Sequence, residues 1–175
     1  MQKTGGLFLF TLVLICACAG SVCGQNKNSY VSQKFNYSVK YPAEYKVNDL
    51  DDIVVLSSPY ADKKFAFSSN VNVTVRQYPM PITDLQDFFN QAKRSLKATF
   101  KAVKIIEEKK DELDKRPAYR ITYTLSQKEA KFKMTQILLV NGRVAYAITY
   151  TALENEFNRY LKEADIIIKS FHILN

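Results

Sequence analysis

At 175 residues, 47% hydrophobic and 24% charged, with only five glycines and five prolines, the chain is too apolar for a disordered polypeptide and is sized for one globular domain with its own core. Lysine and arginine number 25 against 17 acidic residues, a formal net charge of +8. That excess keeps the surface solvated and self-repelling, and it favours contact with anionic surfaces such as lipid headgroups, acidic proteins or nucleic acid.

The first 24 residues, MQKTGGLFLFTLVLICACAGSVCG, place Lys3 before an apolar run from Leu7 to Ala19 and then small residues, the order of a secretory signal peptide. The run is shorter than the roughly twenty apolar residues of a stable membrane span. Two processing routes are open. Cleavage after Gly24, with Val22 and Gly24 read as the small residues, would release a chain beginning at Gln25. Alternatively ICAC, Ile15 to Cys18, resembles a bacterial lipobox, which would make Cys18 a lipid anchor held by several acyl chains. Cys16, Cys18 and Cys23 are the only cysteines, so a chain cut after Gly24 has none. A disulfide framework, a thiol nucleophile, a CxxC redox pair and a zinc ribbon are thereby excluded from its folded part. The expected location is periplasmic or extracellular, with membrane anchoring if Cys18 is acylated.

Residues 25–33, QNKNSYVSQ, are polar and aperiodic and read as a tether; a single domain is expected over 34–175. FNYSVKYP alternates Phe35, Tyr37, Val39 and Tyr41 with polar residues, a half-buried strand stopped by Pro42. Ile53 to Pro59 predicts a second strand. SSNVNVTVRQYP predicts a third, with Val71, Val73 and Val75 on one face and Asn70, Asn72, Thr74 and Arg76 on the other. Thr83 with Gln86 has the spacing of a capping box before a helix whose apolar face carries Leu85, Phe88, Phe89, Ala92 and Leu96. Lys93, Arg94, Lys97 and Lys101 fall in its later turns, where cations complement the helix dipole.

KAVKIIEEKK predicts a further strand before a charged turn through Asp114. RPAYRITYTL puts Tyr119, Ile121, Tyr123 and Leu125 on one face, and KFKMTQILLV puts Phe132, Met134, Leu138 and Val140 on one face with Gln136 interrupting. Asn141-Gly142 is a strong hairpin signal, because both turn positions need positive φ. The returning strand sets Val144, Tyr146, Ile148 and Tyr150 against Ala145, Ala147 and Thr149, small enough for a helix to approach closely; the sheet should be covered on both sides. Leu153, Phe157, Leu161, Ala164 and Ile168 then recur at helical spacing, with Thr151 and Glu154 spaced as a second capping box and Phe171 to Leu174 as a short edge strand. Strands and helices in this order on a mainly antiparallel sheet define an α+β class, an α-β-α sandwich.

FNYSVKYPAEYKV, the end of LSSP, NVNVTV before a long helix, RPAYRITYT, and NGRVAYAITYTALENEFNRYLKEADIIIKSFHI together resemble the PsbP family, named for the extrinsic subunit of photosystem II. The resemblance runs from Phe35 to Ile173. It implies a sandwich around an antiparallel sheet and a non-enzymatic role at a membrane surface. In photosynthetic members that role is support of the oxygen-evolving complex, with calcium and chloride retention. The same superfamily includes exported bacterial proteins, some lipid-anchored, and a nuclear Ran-binding branch. The signal segment argues against the nuclear branch, and a short export signal is unlike the long transit peptide of a thylakoid protein. An exported bacterial relative is expected, with a photosystem II subunit as the alternative.

Among candidate sites, Asn48 to Asp52 gathers Asp49, Asp51 and Asp52, oxygen donors suited to calcium, but lacks the glycine and distant glutamate of an EF-hand loop and reads as a solvated turn. His172, the lone histidine, is expected to be packed or at the surface. Glu107 to Arg116 reads as an exposed, charge-balanced loop. Lys128, Lys131, Lys133 and Arg143 would share a basic sheet edge that resists edge-to-edge aggregation. Asn36 and Asn72 lie in glycosylation sequons and would face outward on their strands.

No nucleophile elbow, phosphate loop, dinucleotide fingerprint or zinc-protease motif occurs, and one histidine leaves no room for a conventional triad beside other uses. The expectation is that the protein is not an enzyme, with an envelope enzyme as a further alternative. No catalytic, cofactor or metal residue is assigned, and calcium enters only through the family resemblance. Nucleic acid is not expected as a partner: the eleven tyrosines alternate as core residues, and export removes the usual target. The expected partner is a protein or envelope component, with an anionic membrane surface compatible with the charge, and the chain itself is expected to be a monomer.

Overall fold

The computed structural model describes residues 27–100 and 102–174. The signal segment with its two processing routes, Cys18, and Lys101 lie outside the described residues.

The chain opens with β1 (Lys27–Ser32) and β2 (Tyr37–Pro42), an antiparallel pair that β10 (His172–Ile173) later joins on the other side of β2. Next come β3 (Lys46–Asp49), β4 (Ile53–Asp62), β5 (Phe67–Gln77), α1 (Leu85–Thr99), β6 (Lys104–Leu113), β7 (Arg116–Gln127), β8 (Ala130–Asn141), β9 (Val144–Leu153) and α2 (Phe157–Lys169). Strands β3 to β9 form a second antiparallel sheet in the order β3-β4-β5-β9-β8-β7-β6. Within this sheet consecutive strands are joined by hairpins, except that α1 carries the chain from β5 to the far edge at β6, and β9 closes back onto β5. The class is α+β and sheet-rich.

Period-two alternation decides what each face buries. Val71, Val73 and Val75 of β5 pair with Tyr150, Ile148 and Tyr146 of β9, and this face packs on Phe157, Ala164, Ile167 and Ile168 of α2. Tyr37 and Val39 of β2 extend the same core together with Phe171. Phe171 is stacked on Tyr37 at 5.4 Å and meets Tyr146 edge-on at 5.4 Å. The opposite face carries Tyr119, Ile121, Tyr123 and Leu125 of β7 and the small Ala145 and Ala147 of β9, against Phe88, Phe89, Ala92 and Leu96 of α1. The hydroxyls of Tyr146 and Tyr150 donate to the carbonyls of Phe35 and Phe157, each at 2.8 Å. Both hydroxyls thus avoid the cost of burial without a partner, about 1–3 kcal/mol on mutational scales. The β8–β9 hairpin forms where expected but one residue later: Asn141 stays in β8 opposite Val144, the turn residues are Gly142 and Arg143, and only Gly142 has positive φ (+60).

Several expectations need correcting. The stretch 25–33 is not a tether over its described part: β1 pairs along its whole length with β2, and Tyr30 packs against the core while Val31 is 44% exposed, so one apolar side chain and the backbone ladder hold it, too little for a periodic signal. The α1 cap is Asp84, whose Oδ1 accepts from the Asp87 N–H at 2.9 Å, not Thr83; Gln86 instead accepts a hydrogen bond from the Tyr119 hydroxyl and ties α1 to β7. Thr151 and Glu154 form no capping box. Thr151 is buried in β9, whose pairing continues to Leu153 opposite Phe132, and α2 starts at Phe157 with Glu156 as a cap residue whose side chain bonds no helix-start amide. Sheet pairing on one side and packing on the other outweigh the local capping signal there.

Glu107 to Arg116 is not a loop. It is the end of edge strand β6, a two-residue turn at Asp114 and Lys115 (φ +54 and +57), and the first residue of β7. Lys131 and Lys133 lie on β8, in the interior of the sheet, while Lys128 and Arg143 sit at turns at opposite ends of that strand, so the four form no basic edge. The sheet's edges are β3 and β6, and on β6 the charged residues Glu107 to Lys110, all exposed, guard against edge-to-edge pairing. Asn72 is 5% exposed on β5, and Asn36 lies outside the strands at φ +50, so neither sequon asparagine faces outward from a strand as expected.

Candidate functional site

The acidic turn after β3 is held by the first hairpin. The Tyr30 hydroxyl donates to Asp49 Oδ2 at 2.6 Å, the Asp51 N–H donates to Asp49 Oδ1 at 3.2 Å, and Lys34 Nζ meets Asp51 Oδ1 at 2.5 Å. Burial, reinforced by Asp49, pushes the Tyr30 phenol up to about 12. These carboxylates therefore clasp β1 and β2 to β3, and they do not fit a calcium site: their oxygens point to a hydroxyl, an amide and an ammonium rather than to one centre. Among the described residues no three His, Cys, Asp or Glu side chains gather as a metal set.

A second clasp involves His172. Asp114, in the β6–β7 turn, receives the Ile173 N–H at 2.9 Å on one oxygen and lies 2.6 Å from His172 Nδ1 on the other. Burial alone would push the Asp114 carboxyl up, but the Ile173 amide, His172 and Arg116 together hold it below its ordinary value. His172 is thus a surface residue engaged by a carboxylate, and the pair fastens β10 to a turn 58 residues away in sequence.

Two concavities flank α2. The first, about 450 Å³, lies between α2 and strands β6 to β8. Arg120 of β7 stands in it, with Nε 2.6 Å from Asp111 of β6 and an Nη 3.8 Å from Asp165 of α2. Burial raises the Asp111 carboxyl, but Arg120 and the Glu112 amide outweigh it and the net shift is downward. Lys133 lies 4.5 Å over the Phe157 ring, and the Thr122 and Thr135 hydroxyls share a hydrogen bond of 3.0 Å. These groups are engaged with one another, so the groove docks α2 onto the sheet more than it offers open chemistry. The second concavity, about 510 Å³, lies between the β4–β5 hairpin tip and the first turn of α2, and is lined by Tyr60, Lys63, Lys64, Ser69, Arg159 and Tyr160 among others. Sequence reasoning singled out none of these residues as a site. The two elements meet only in the fold, and neither holds a motif.

These sites sit on a mainly antiparallel sheet with one helix on each face, accompanied by a small three-stranded sheet. The family model described as "PsbP-like protein" matches residues 21–173, and the chain belongs to that family. Among solved structures it is similar to the cyanobacterial PsbP, CyanoP, of Synechocystis sp. PCC 6803, at 17% identity with 90% of this chain and 98% of that one covered and a TM-score of 0.61. It is also similar to LpqN of Mycobacterium tuberculosis, described as involved in cell envelope biogenesis, at 8% identity, 86% and 91% coverage and a TM-score of 0.61. A third, a protein of unknown function from Pseudomonas aeruginosa, matches at 9% identity, 82% and 94% coverage and a TM-score of 0.61. At these identities the likeness is one of fold. No curated protein matches the chain.

Proposed function

We propose that the chain is an exported, non-enzymatic binding or assembly protein of the PsbP-like family that works at the outer face of a membrane. The observation that carries this reading is the family match over residues 21–173, nearly the whole of the folded part. The likeness to a cell-envelope protein and the export-like order of residues 1–24 support it. The domain acts as a three-layer α-β-α scaffold that offers one face to a protein or envelope partner. It is a monomer, tethered through acylated Cys18 or released from Gln25. The net charge of +8 suits an anionic membrane surface. Affinity purification of the tagged full chain from intact membranes tests this: recovery of one stoichiometric partner supports it. Recovery of none, while the purified chain turns over a substrate, sinks it.

A second reading, an extrinsic subunit of photosystem II, is favoured by the likeness to CyanoP. It requires a photosynthetic source and co-purification with photosystem II; a non-photosynthetic source rules it out.

A further inference from the structure

Because neighbouring strands of the seven-stranded sheet are antiparallel, its connections gather at two opposite ends. One end collects the β4–β5 hairpin tip, the β7–β8 turn, the start of β6 and the passage from β9 into α2. Helix α1 begins at the other end, where the Ile82 N–H donates to the Gly142 carbonyl, and so finishes at this one. The segments touch: the Phe67 and Phe132 rings meet at 5.0 Å, the Glu154 N–H donates to the Lys131 carbonyl at 2.9 Å, and Phe65, Phe100 and Val103 pack on one core cluster. Six exposed lysines stand there, Lys63 and Lys64 on the hairpin tip, Lys97 on α1, Lys104 on β6, Lys128 in the turn and Lys131 on β8. Among the described residues none of the six is in an ion pair. Three carboxylates stand among them, Asp62, Glu129 and Glu154, and Glu156 is matched by Arg159 at 3.3 Å. A surplus of three positive charges remains, before Lys133 over the Phe157 ring is added.

The opposite end carries no such surplus. There Asp49, Asp51, Asp52, Asp84, Glu112 and Asp114 offset Lys34, Arg76, Lys115, Arg116 and Arg143. Exposed apolar area does not separate the two ends, since Tyr60 is 66% exposed at the first and Met80 72% exposed at the second. Charge does, and the positive excess is polarised along the strand direction. The chain also enters from the lysine-bearing side. The β1–β2 turn lies at the opposite end, where the Tyr146 hydroxyl near the start of β9 donates to the Phe35 carbonyl, so the Lys27 end of β1 points toward the lysines. Nine positions separate Cys18 from Lys27, a reach of at most about 30 Å. An anchor at Cys18 therefore lets this end lie on the bilayer.

We infer that this end of the domain docks on a bilayer of anionic phospholipid, with headgroup phosphates on the six lysines and Tyr60 at headgroup level. Each lysine close to such a surface raises affinity about fivefold, and salt screens the gain. The inference rests on the membrane-surface reading above and gives it an orientation; a chain that is found on membranes in cells yet ignores lipid charge fails only here. The test is binding of the mature chain, as isolated from cells, to vesicles of phosphatidylcholine alone or mixed with phosphatidylglycerol, with amide hydrogen exchange on the bound chain. Phosphatidylglycerol should tighten binding about tenfold or more, about 0.5 M salt should abolish that gain, and exchange should slow at residues 60–67 and 127–131. Two variants of equal net charge separate a docked surface from general attraction. Lys63→Gln with Lys131→Gln should cost about tenfold or more in affinity for the anionic vesicles. Lys40→Gln with Lys169→Gln, exposed where the end of α2 meets β2, should cost less than about threefold. All four positions are exposed, so both variants keep the fold. Equal losses in the two pairs, binding indifferent to phosphatidylglycerol, slowed exchange confined to other segments, or soluble polyphosphate bound as tightly as the vesicles overturn the assignment.

Discussion

Replacing Asp114 by Asn isolates the charge in the clasp that fastens the C-terminal strand. Asn tolerates the left-handed conformation at φ +54 about as well as Asp, so the turn survives. Its carbonyl can still accept the Ile173 N–H, but as a neutral acceptor, a loss of about 1 kcal/mol given that charge-assisted bonds are roughly twice as strong as neutral ones. The contact to His172, whose side chain is 56% exposed, is screened by solvent and adds at most about 0.5 kcal/mol. The expected destabilisation is about 1–1.5 kcal/mol at pH 7, read as a lower urea midpoint at unchanged slope. The pH dependence follows from the direction of the shift. Asp114 is held below its ordinary value in the folded chain, so its contribution is present above the unfolded pKa, near 3.9, and is lost as pH falls through the folded value. The gap between parent and Asp114→Asn should therefore be full at pH 7 and shrink below about pH 4. A gap that is the same at pH 7 and at about pH 2.5 would refute the charge-based account.

Three further substitutions probe other parts of the argument. Phe171→Ala removes a 2% exposed ring that contacts Tyr37 and Tyr146, and should cost about 3–5 kcal/mol in chemical denaturation; a cost under about 1 kcal/mol would mean the small sheet does not share the core. Ala66→Gly, at φ +50 in the β4–β5 hairpin, should stabilise by about 0.5–1 kcal/mol by removing a Cβ from the left-handed region, seen as a higher melting temperature. Tyr30 has a phenol raised to about 12, so its stabilising contribution is present below pH 10 and is lost as pH rises through about 12. Tyr30→Phe should accordingly be less stable than the parent at neutral pH and equal to it at the alkaline end, and a stability gap that widens with alkali contradicts the assignment.

What was legible in the sequence was whatever is periodic or local. The alternations at Val71 to Val75 and Tyr146 to Tyr150 named the residues of one core face, the small Ala145 and Ala147 indicated where a helix would approach, and Asn141-Gly142 marked the β8–β9 hairpin, whose turn falls one residue later at Gly142-Arg143. The misreadings share one cause, that local chemistry competes with pairing between distant segments. Thr151 and Glu154 have capping-box spacing, yet the ladder with β8 keeps Thr151 in the sheet. β1 shows no hydrophobic period, because Tyr30 is its one apolar side chain packed on the core and the rest of its pairing is backbone to backbone. The clasps Tyr30–Asp49 and Asp114–His172, the Arg120 bridge and the cavity beside α2 each join residues that only the topology brings together, so no spacing in the chain announces them. One signal was present in retrospect: Asp114 stands at the first turn position between two strands, where a left-handed Asp is favoured and its carboxylate is left to reach outward.

The most direct test of the central claim, export to the outer face of a membrane, is mass spectrometry of the mature N-terminus on protein taken from separated cell fractions. The account predicts a chain outside the cytoplasm that begins either at acylated Cys18 or at Gln25. An intact Met1 on the bulk of the protein, recovered with the cytoplasmic fraction, would contradict it.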